Sequence, residues 1–535
     1  MLGRIKAHLP APAKRILKGA LRRSYPFLPA PVATRVEKAM PSLRKGTANP
    51  APSPPVPPAP IVAPPPQADP RPEPADHPLG ITPEHVGTTY EPADVLPMLA
   101  LENTMLRTRL LTVAQQVREL QAAAADQTAP EEQEARARAR IAVTEYLKQQ
   151  PDAGGRPRHL VIANEYPDVG REYGNGFVHR RVKRYLEVGA HVDVVLAGYS
   201  TVERSYEFDG VRVLSGKGAE IAELLERVDY TSVSVHFLNR WMWDRLIPYL
   251  EQINLHVFLH GYECSRWIRT VYNFESGTLL ERAINRAFDL QQLWHEVVNH
   301  PHGPSSFIFV SDWWRKAVMD DMGVVFPAAR TRVIHNIVDT DLFRYRVKDA
   351  EQRFNLLWVR SAANRKYGHD LAIETIKRLT SSPHWARAKV TIIGDGQHFP
   401  DFAAALGEFP NVTIEQRFAS QEEIAQLHQS HGIFLVPSRL DAQGVSRDEA
   451  MSSGLVAVTN LVTAIPEFID GDTGIVGEAE RADQLAEGIL ALWDDPDRFL
   501  RLSEAAAERV RTQCGPQATV DREIELLKLD PSREV

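Results

Sequence analysis

Two carboxylates flank a glycine in the block VPSRLDAQGVSRDEAMSSGLVAVTN, residues 436–460. A strand is predicted to end at the Pro-Ser pair, and a loop then leads into a helix that is predicted to start near Ser446. A helix N-terminus binds anions because its first N–H groups lack partners and the helix dipole is positive there. Asp441 and Glu449 bracket this site and could hold hydroxyls of a sugar and a ribose. The candidate phosphate-binding residues of the block are Ser438, Gly444, Val445 and Ser446.

The same block also has a purely structural interpretation. Ser446 and Glu449 fit a capping box, in which the Glu449 side chain only bonds the first amide of the helix. That interpretation needs neither Asp441 nor a close approach of a ligand at Gly444–Val445.

Three cations follow the predicted strand FNLLWV: Arg360, Arg365 and Lys366. One loop at the carboxyl edge of a sheet would carry all three. Such a group suits a diphosphate, whose charge needs forked and point-charge partners. The alternative is a basic loop that is simply solvated.

Two glycine-rich turns follow predicted strands. Gly174 and Gly176 precede a predicted helix, where backbone amides could approach a phosphate without Cβ clashes. His179 replaces the third glycine of the dinucleotide-binding fingerprint, which argues against a nicotinamide enzyme. Gly394 and Gly396 form a sharp turn after the strand KVTII. Tight turns without a ligand remain the alternative for both.

His260 follows the predicted strand in FLHGYE, and its place at the carboxyl end favours a role in the cleft over a purely structural one. A zinc site at His295-Glu296 and His300 is rejected, because a metalloprotease needs two histidines four residues apart. The sequence also offers no carboxylate cluster that demands a metal, so we expect none.

Short buried strands alternate with helices from His159 onward, which indicates an α/β protein with parallel sheets. The pattern restarts near Arg346, after a polar run. We therefore predict two Rossmann-like domains facing a cleft, residues 155–345 and 346–535, with ligands at the strand ends.

Three segments precede these domains. Residues 1–45 hold eleven basic residues and one acid and resemble an amphipathic arm, suited to an anionic membrane surface. Residues 46–90 form a proline-rich linker. Residues 94–150 are predicted to be helical, and the leucine spacing around Asn103 predicts a coiled coil that could form a homodimer through residues 94–124. A disordered arm and a single packed helix are the alternatives.

Composition excludes several classes of protein. The 535 residues carry a net charge near −7, which argues against a nucleic-acid partner. Two cysteines give no disulfide framework, and no apolar run is long enough for a membrane helix.

In this order, the motifs of residues 159–525 resemble retaining GT-B glycosyltransferases, and are similar to glycosyltransferase family 4. Ser311 and the stretch VIHNIVDTDLF, which contains Asn336, Asp339 and Phe343, resemble the interdomain segment of that family. IGDG and IPEFIDGDTGIV resemble its glycine turn and a later turn. Two features depart from the family. Asp441 stands where glutamate is usual, and Lys366 lies six residues after Arg360 rather than five, so Arg365 could take the place of the lysine.

The resemblance implies transfer of a sugar from a nucleotide-diphosphate sugar to a saccharide or lipid-linked saccharide, with retention and no cofactor. It implies that Glu449 binds the ribose and that Asp441 binds the transferred sugar. It also implies that His260 lies beside the sugar and the acceptor. Arg360, with Lys366 or Arg365, would stabilise the leaving diphosphate. The basic arm suggests an enzyme at the inner face of a bacterial membrane, in surface polysaccharide synthesis. The alternatives are a nucleotide-sugar 2-epimerase and a non-catalytic scaffold.

Overall fold

The computed structural model describes residues 98–99, 101–103, 105–106 and 130–530, except 170–173, 199–201 and 275–276. The basic arm, the proline-rich linker and most of the predicted coiled coil lie outside the described residues, so the membrane and homodimer assignments stay predictions. All elements described below lie in one compact unit. Within the described part, no helix is both long and apolar enough to cross a membrane.

Eight strands form the sheet of the first domain. They are β1 (Arg158–Ala163), β2 (His191–Ala197), β3 (Arg204–Phe208), β4 (Val211–Gly216), β5 (Ser232–His236), β6 (Leu255–Leu259), β7 (Ser306–Phe309) and β8 (Thr331–Val333). Their order is β3-β4-β2-β1-β5-β6-β7-β8, and only β3 runs antiparallel to its neighbour. The central strands are almost entirely buried, which explains why most of them are rich in apolar residues.

Among the described residues up to the end of β8, the α-helices are α1 (Pro130–Gln149), α2 (Gly176–Glu187), α3 (Ala219–Arg227), α4 (Arg240–Leu246), α5 (Gly277–Asn299) and α6 (Asp312–Met322). Helix α1 comes from the segment predicted to be helical, and it packs on the first domain. Its Val143 and Tyr146 are buried in the domain core. The Val194 amide donates a hydrogen bond to the Tyr146 hydroxyl oxygen at 3.1 Å. The end of the 94–150 segment is therefore part of this domain.

The second domain has a six-stranded sheet. Its strands are β9 (Asn355–Val359), β10 (Lys389–Gly394), β11 (Val412–Gln416), β12 (Ile433–Leu435), β13 (Val456–Asn460) and β14 (Ile475–Gly477). They are all parallel, in the order β11-β10-β9-β12-β13-β14. Its helices are α7 (His369–Leu379), α8 (Pro400–Leu406), α9 (Gln421–Ser430), α10 (Val445–Ser452), α11 (Ala482–Asp494) and α12 (Pro496–Cys514).

The last helix, α13 (Val520–Leu527), packs on the first domain rather than the second. Its buried Glu523 accepts hydrogen bonds from Arg181 Nε at 3.0 Å and from the Tyr185 hydroxyl at 2.7 Å. An isolated buried carboxylate would be costly, and Arg181 supplies the charge that compensates it. The division at residues 345 and 346 assigned this helix to the second domain, and its position is a correction to that division.

The α/β fold with two parallel-sheet domains is confirmed. Helices α7 and α9 span the predicted segments HDLAIETIKRL and QEEIAQLHQS. The β3–β4 hairpin, whose first strand is a largely exposed edge, was not predicted from the sequence. Neither was α5, which contains the His295-Glu296 pair.

Candidate functional site

A cavity of about 810 Å³ lies between the carboxyl ends of the two sheets. His260 lines it from the loop after β6, Arg360 from the loop after β9, and Gly394 from the end of β10. The N-terminus of α10 lines it as well. The volume is within the usual range for small-molecule sites, and parallel sheets place such sites at these strand ends.

Arg360 and Asp441 form an ion pair at the second-domain wall of this cavity. Arg360 Nη2 lies 3.3 Å from Asp441 Oδ2, and Nη1 donates to Ser438 Oγ at 2.8 Å. Burial by itself would raise the pKa of Asp441, but the charges of Lys366 and Arg360 outweigh it and hold this pKa below its usual value. Asp441 is therefore an anion against two cations. Ser438 does not line the cavity, and it positions Arg360 instead.

Lys366, and not Arg365, faces the cavity. Both residues belong to the short turn Arg365–Tyr367, which Asn364 caps. Burial opposes the charge of Lys366, but Tyr367 and Asp441 raise its pKa above the usual value. Arg365 is half exposed and pairs with Asp370 at 3.2 Å. The structure thus assigns the inner position to Lys366 and removes Arg365 from the candidate phosphate-binding residues.

Helix α10 begins one residue earlier than predicted, at Val445. Gly444 caps it with φ 99°, a left-handed conformation that favours glycine. Val445 and Ser446 are its first residues and line the cavity, where the first amides of a helix have no partner inside it. The loop and the helix N-terminus therefore lie at the cavity wall, where the sequence predicts an anion site.

The capping-box interpretation of Glu449 is wrong. Ser446 is the second residue of α10 rather than its cap, so Glu449 cannot reach back to a capping amide. Its Oε1 instead accepts a hydrogen bond from Nη2 of Arg180 at 2.8 Å. Burial raises the pKa of Glu449, and Arg180 opposes that rise.

A buried polar network supports the Asp441–Gly444 loop from below. The Gln443 side chain pairs with the Asn336 backbone, accepting from its N–H at 2.6 Å and donating to its carbonyl at 3.1 Å. It also donates to Asp448 Oδ2 at 3.0 Å, while Arg447 donates to the Gln443 carbonyl at 2.7 Å. The loop is thereby joined to the segment that connects the domains. Sequence reasoning missed this network.

Ser311 makes a second connection between the domains. Its hydroxyl donates to the Ala442 carbonyl at 2.7 Å, directly after Asp441. In the same interdomain stretch, Phe343 is fully buried, and Asp339 Oδ1 accepts from the Leu342 amide at 2.9 Å.

His260 lines the cavity at the end of β6 and is held from two sides. Its Nε2 lies 2.9 Å from Nδ1 of His236, and its Nδ1 is buried without a hydrogen-bond partner among the described residues. Burial lowers the pKa of both histidines well below the usual value, so both rings are neutral. Glu263 accepts hydrogen bonds from the backbone N–H of His260 and, at 3.0 Å, of Gly261. Burial raises the pKa of Glu263 to about 7.

The four glycines of the two turns divide into two groups. Gly176 and Gly394 line the cavity. Gly174 packs against Glu165 instead, where an added Cβ would lie 3.1 Å from the side chain. At Gly396, with φ 130°, a Cβ would lie 2.3 Å from the Ala363 nitrogen. Gly174 and Gly396 thus shape loops and do not line the cavity.

Arg180 is a cavity residue that sequence reasoning missed. It projects from α2 and also donates to Gln421 Oε1 at 2.9 Å. The run HRRVKR after the Gly174–Gly176 turn was a signal for it, since this run places several cations on one helix. Nothing in the sequence indicated which of them faces the cavity.

One group of described residues has the composition of a metal site. Ligand atoms of His369, His398 and Asp401 lie within 4.8 Å of one another. The two imidazole rings are stacked at 16°, so their in-plane nitrogen lone pairs do not converge on one point. The group does not line the cavity. Glu296, which the sequence analysis rejected as a zinc-site residue, accepts from Trp243 Nε1 at 2.8 Å.

Most of the second domain is similar to a known family. Residues 353–495 match the family described as glycosyl transferases group 1. The chain is 31% identical over 139 residues to N-acetyl-alpha-D-glucosaminyl L-malate synthase of Bacillus anthracis, covering 25% of this chain and 36% of that protein. It is 28% identical over 151 residues to D-inositol 3-phosphate glycosyltransferase of Corynebacterium aurimucosum, covering 27% and 36%. The chain thus spans about a third of the length of these relatives.

Solved structures agree over a longer stretch. Sucrose-phosphate synthase from Thermosynechococcus elongatus superposes with a TM-score of 0.53 at 17% identity, covering 70% of this chain and 98% of that one. The catalytic domain of starch synthase IV from Arabidopsis thaliana, bound to ADP and acarbose, gives 0.50 at 11% identity, covering 71% and 100%. These similarities show the fold alone. Residues 353–495 therefore match the group 1 glycosyl transferases, and the chain has the GT-B fold.

Proposed function

We propose that this protein transfers a sugar, with retention, from a nucleotide-diphosphate sugar to a saccharide or lipid-linked saccharide. One observation carries the proposal: Arg360, Lys366 and the N-terminus of α10 line one cavity beside two buried carboxylates. The cations and helix amides suit a diphosphate, and the carboxylates Asp441 and Glu449 suit hydroxyls. The family match of residues 353–495 supports the same reaction class.

Charge development defines the role of each group. As the glycosidic bond breaks, negative charge grows on the diphosphate and positive charge on the sugar. Arg360, Lys366 and the amides of Val445 and Ser446 stabilise the departing diphosphate, and they are held in place before the reaction begins. Asp441 lies beside the sugar. Because the two cations and the helix amides neutralise the diphosphate, activity should survive treatment with a metal chelator.

The remaining side chains position the substrates. Glu449 binds the ribose hydroxyls. His260 presents a neutral ring to the sugar and acceptor, with a buried Nδ1 that has no other partner among the described residues. The acceptor enters from the first domain, and the departing diphosphate takes its proton.

The residues that precede the two domains suggest where the enzyme is located in the cell. We propose that residues 1–45 hold the enzyme at the cytoplasmic face of a bacterial inner membrane, in surface polysaccharide synthesis, and that residues 94–124 form a homodimer. The arm carries eleven basic residues against one acid, and each near an anionic surface contributes about 1 kcal/mol. Sedimentation with anionic vesicles tests the first claim, and equal binding by a variant lacking residues 1–45 would contradict it.

The reaction is tested with the full chain. Calorimetry measures binding of UDP, GDP, dTDP and ADP by the wild-type protein and by Arg360→Ala, with Arg365→Ala as the control. We expect one diphosphate to be preferred, and only Arg360→Ala to lose it. Incubation with the matching nucleotide sugar then separates the reactions. Product that forms only with an acceptor supports a transferase, whereas free epimer without an acceptor would indicate a 2-epimerase. Absence of binding to all four would favour the scaffold.

A further inference from the structure

The ribose site of the proposed reaction contains a residue of the first domain. Arg180, on α2, places its guanidinium between two side chains of the second domain. Nη2 donates to Glu449 Oε1 at 2.8 Å, and Nη1 donates to Gln421 Oε1 at 2.9 Å. The Arg180 side chain is 16% exposed and that of Glu449 is 7% exposed. The pair is therefore largely shielded from water, where a charge-assisted hydrogen bond is strong.

The contact leaves room for a ligand on both partners. A carboxylate has about four acceptor positions on its two oxygens, and Arg180 occupies one of those on Glu449. On the other side, Nε of Arg180 is buried and has no hydrogen-bond partner among the described residues. A buried N–H without a partner is costly, and a ribose oxygen in the cavity would satisfy it.

We propose that Arg180 is a donor-binding residue that recognises the ribose together with Glu449. It keeps the Glu449 carboxylate oriented towards the hydroxyls and offers its Nε–H to a ribose hydroxyl oxygen. The ribose site is thus completed across the cleft. This inference rests on the proposed function.

The charges around Glu449 explain why its partner matters. Its carboxylate faces Arg180 of α2, Asp448 of its own helix and Asp339 of the interdomain segment, while Gln421 of α9 is neutral. Burial and the two aspartates favour the protonated form, and Arg180 is the opposing charge. Without Arg180, we expect Glu449 to take up a proton more readily and to lose acceptor capacity.

Calorimetry on the full chain tests this with two ligands and four proteins. The ligands are the tightest-binding diphosphate of UDP, GDP, dTDP and ADP, and its 2′,3′-dideoxy analogue. The proteins are wild type, Arg180→Met, Arg180→Lys and Lys183→Met. Lys183 is a matched control, because it lies on the same helix but is 40% exposed and pairs with Asp209. Thermal melting checks that each variant is folded.

We expect Arg180→Met to weaken diphosphate binding roughly tenfold to a hundredfold, as expected when charge-assisted hydrogen bonds are lost. The dideoxy analogue should lose about twofold or less, because it lacks the hydroxyls. Raising the pH should partly restore diphosphate binding to Arg180→Met by ionising Glu449. The diphosphate affinity of Arg180→Lys should lie between those of wild type and Arg180→Met. The affinity of Lys183→Met should match that of wild type.

Three results would overturn the inference and leave the proposed function intact. They are unchanged binding in Arg180→Met, tighter binding in Arg180→Met, and an equal loss for both ligands. Tighter binding would mean that Arg180 competes with the ribose, and an equal loss would mean that it acts elsewhere. If wild type binds none of the four diphosphates, the proposed function itself fails and the inference with it.

Discussion

Arg360 and Asp441 face each other from the ends of neighbouring strands, with Nη2 3.3 Å from Oδ2. Lys366 adds a second positive charge to the same carboxylate. A nucleotide diphosphate that enters the cavity therefore meets two cations whose charge is partly balanced by Asp441. In the proposed reaction, the two cations would bind the leaving group, and Asp441 would stabilise the sugar.

Asp441→Asn should separate these two functions. Removing the negative charge leaves two cations without their partner, and we expect a loss of roughly 3 kcal/mol in the free energy of unfolding. Sugar transfer should fall roughly a hundredfold. Diphosphate affinity should stay the same or increase, because the cations lose a competing anion. Urea unfolding, a product assay and calorimetry measure the three quantities, and a tenfold weaker diphosphate affinity would contradict the assignment.

Lys366→Met and Arg365→Met form a matched pair that tests the phosphate assignment. Lys366 lines the cavity, whereas Arg365 is half exposed and pairs with Asp370. Lys366→Met should weaken diphosphate binding roughly tenfold or more. Arg365→Met should change it by about twofold at most, since exposed ion pairs contribute little. The reverse ranking in calorimetry would restore Arg365 to the phosphate site.

The raised pKa of Glu263 predicts opposite effects of pH on stability and on activity. Its pKa is about 7 in the folded protein, against 4.5 for an ordinary glutamate. Between these values the folded state holds a proton that the unfolded state has lost, so the free energy of unfolding falls as the pH rises from about 4.5 to 7. Activity should rise over the upper part of that range, because the ionised carboxylate accepts both the His260 and Gly261 amides.

Thermal melting and kcat/KM, each followed from pH 5 to 8, check this prediction. Glu263→Gln should flatten the stability profile and remove the rise in activity near pH 7. A wild-type activity profile that is flat through pH 7 would refute the role of Glu263.

Gln443→Leu should destabilise the protein through unsatisfied polar groups. The substitution strips partners from the N–H and carbonyl of Asn336 and from one oxygen of Asp448. We expect a loss of roughly 3 kcal/mol in urea unfolding, because each buried unpaired group costs about 1–3 kcal/mol. Gln416→Leu, on the exposed end of β11, is the control and should stay within about 0.5 kcal/mol. Equal behaviour of the two variants would show that the network is not needed.

Much of the fold could be predicted because buried parallel strands have a recognisable apolar composition in the sequence. Buried strands such as β2 and β6 consist mostly of apolar residues, and helices such as α7 have an apolar face and a glycine before them. The carboxyl-end rule then placed His260, Arg360 and Asp441 at one cleft.

The rest of the site depends on contacts between distant segments. Arg180 and Glu449 lie 269 positions apart, and Gln443 and Asn336 lie 107 apart. Local pattern says nothing about such pairs. The choice between Arg365 and Lys366 likewise needed the direction of a single turn, since spacing allows either. The capping box at Ser446 failed because Gly444 starts the helix earlier.

Helix α13 has a consequence for how the chain folds during synthesis. Ribosomes add roughly 5–20 residues per second, and domains generally fold as they emerge. Here the first domain is made first, but Val520, Ile524 and Leu527 cover part of its apolar surface and are made after the whole second domain. That surface stays exposed on the nascent chain until the last helix has been made. Arg181 likewise lacks its hydrogen-bond partner Glu523 until that point. The first domain can therefore complete its core only after the last helix has been translated.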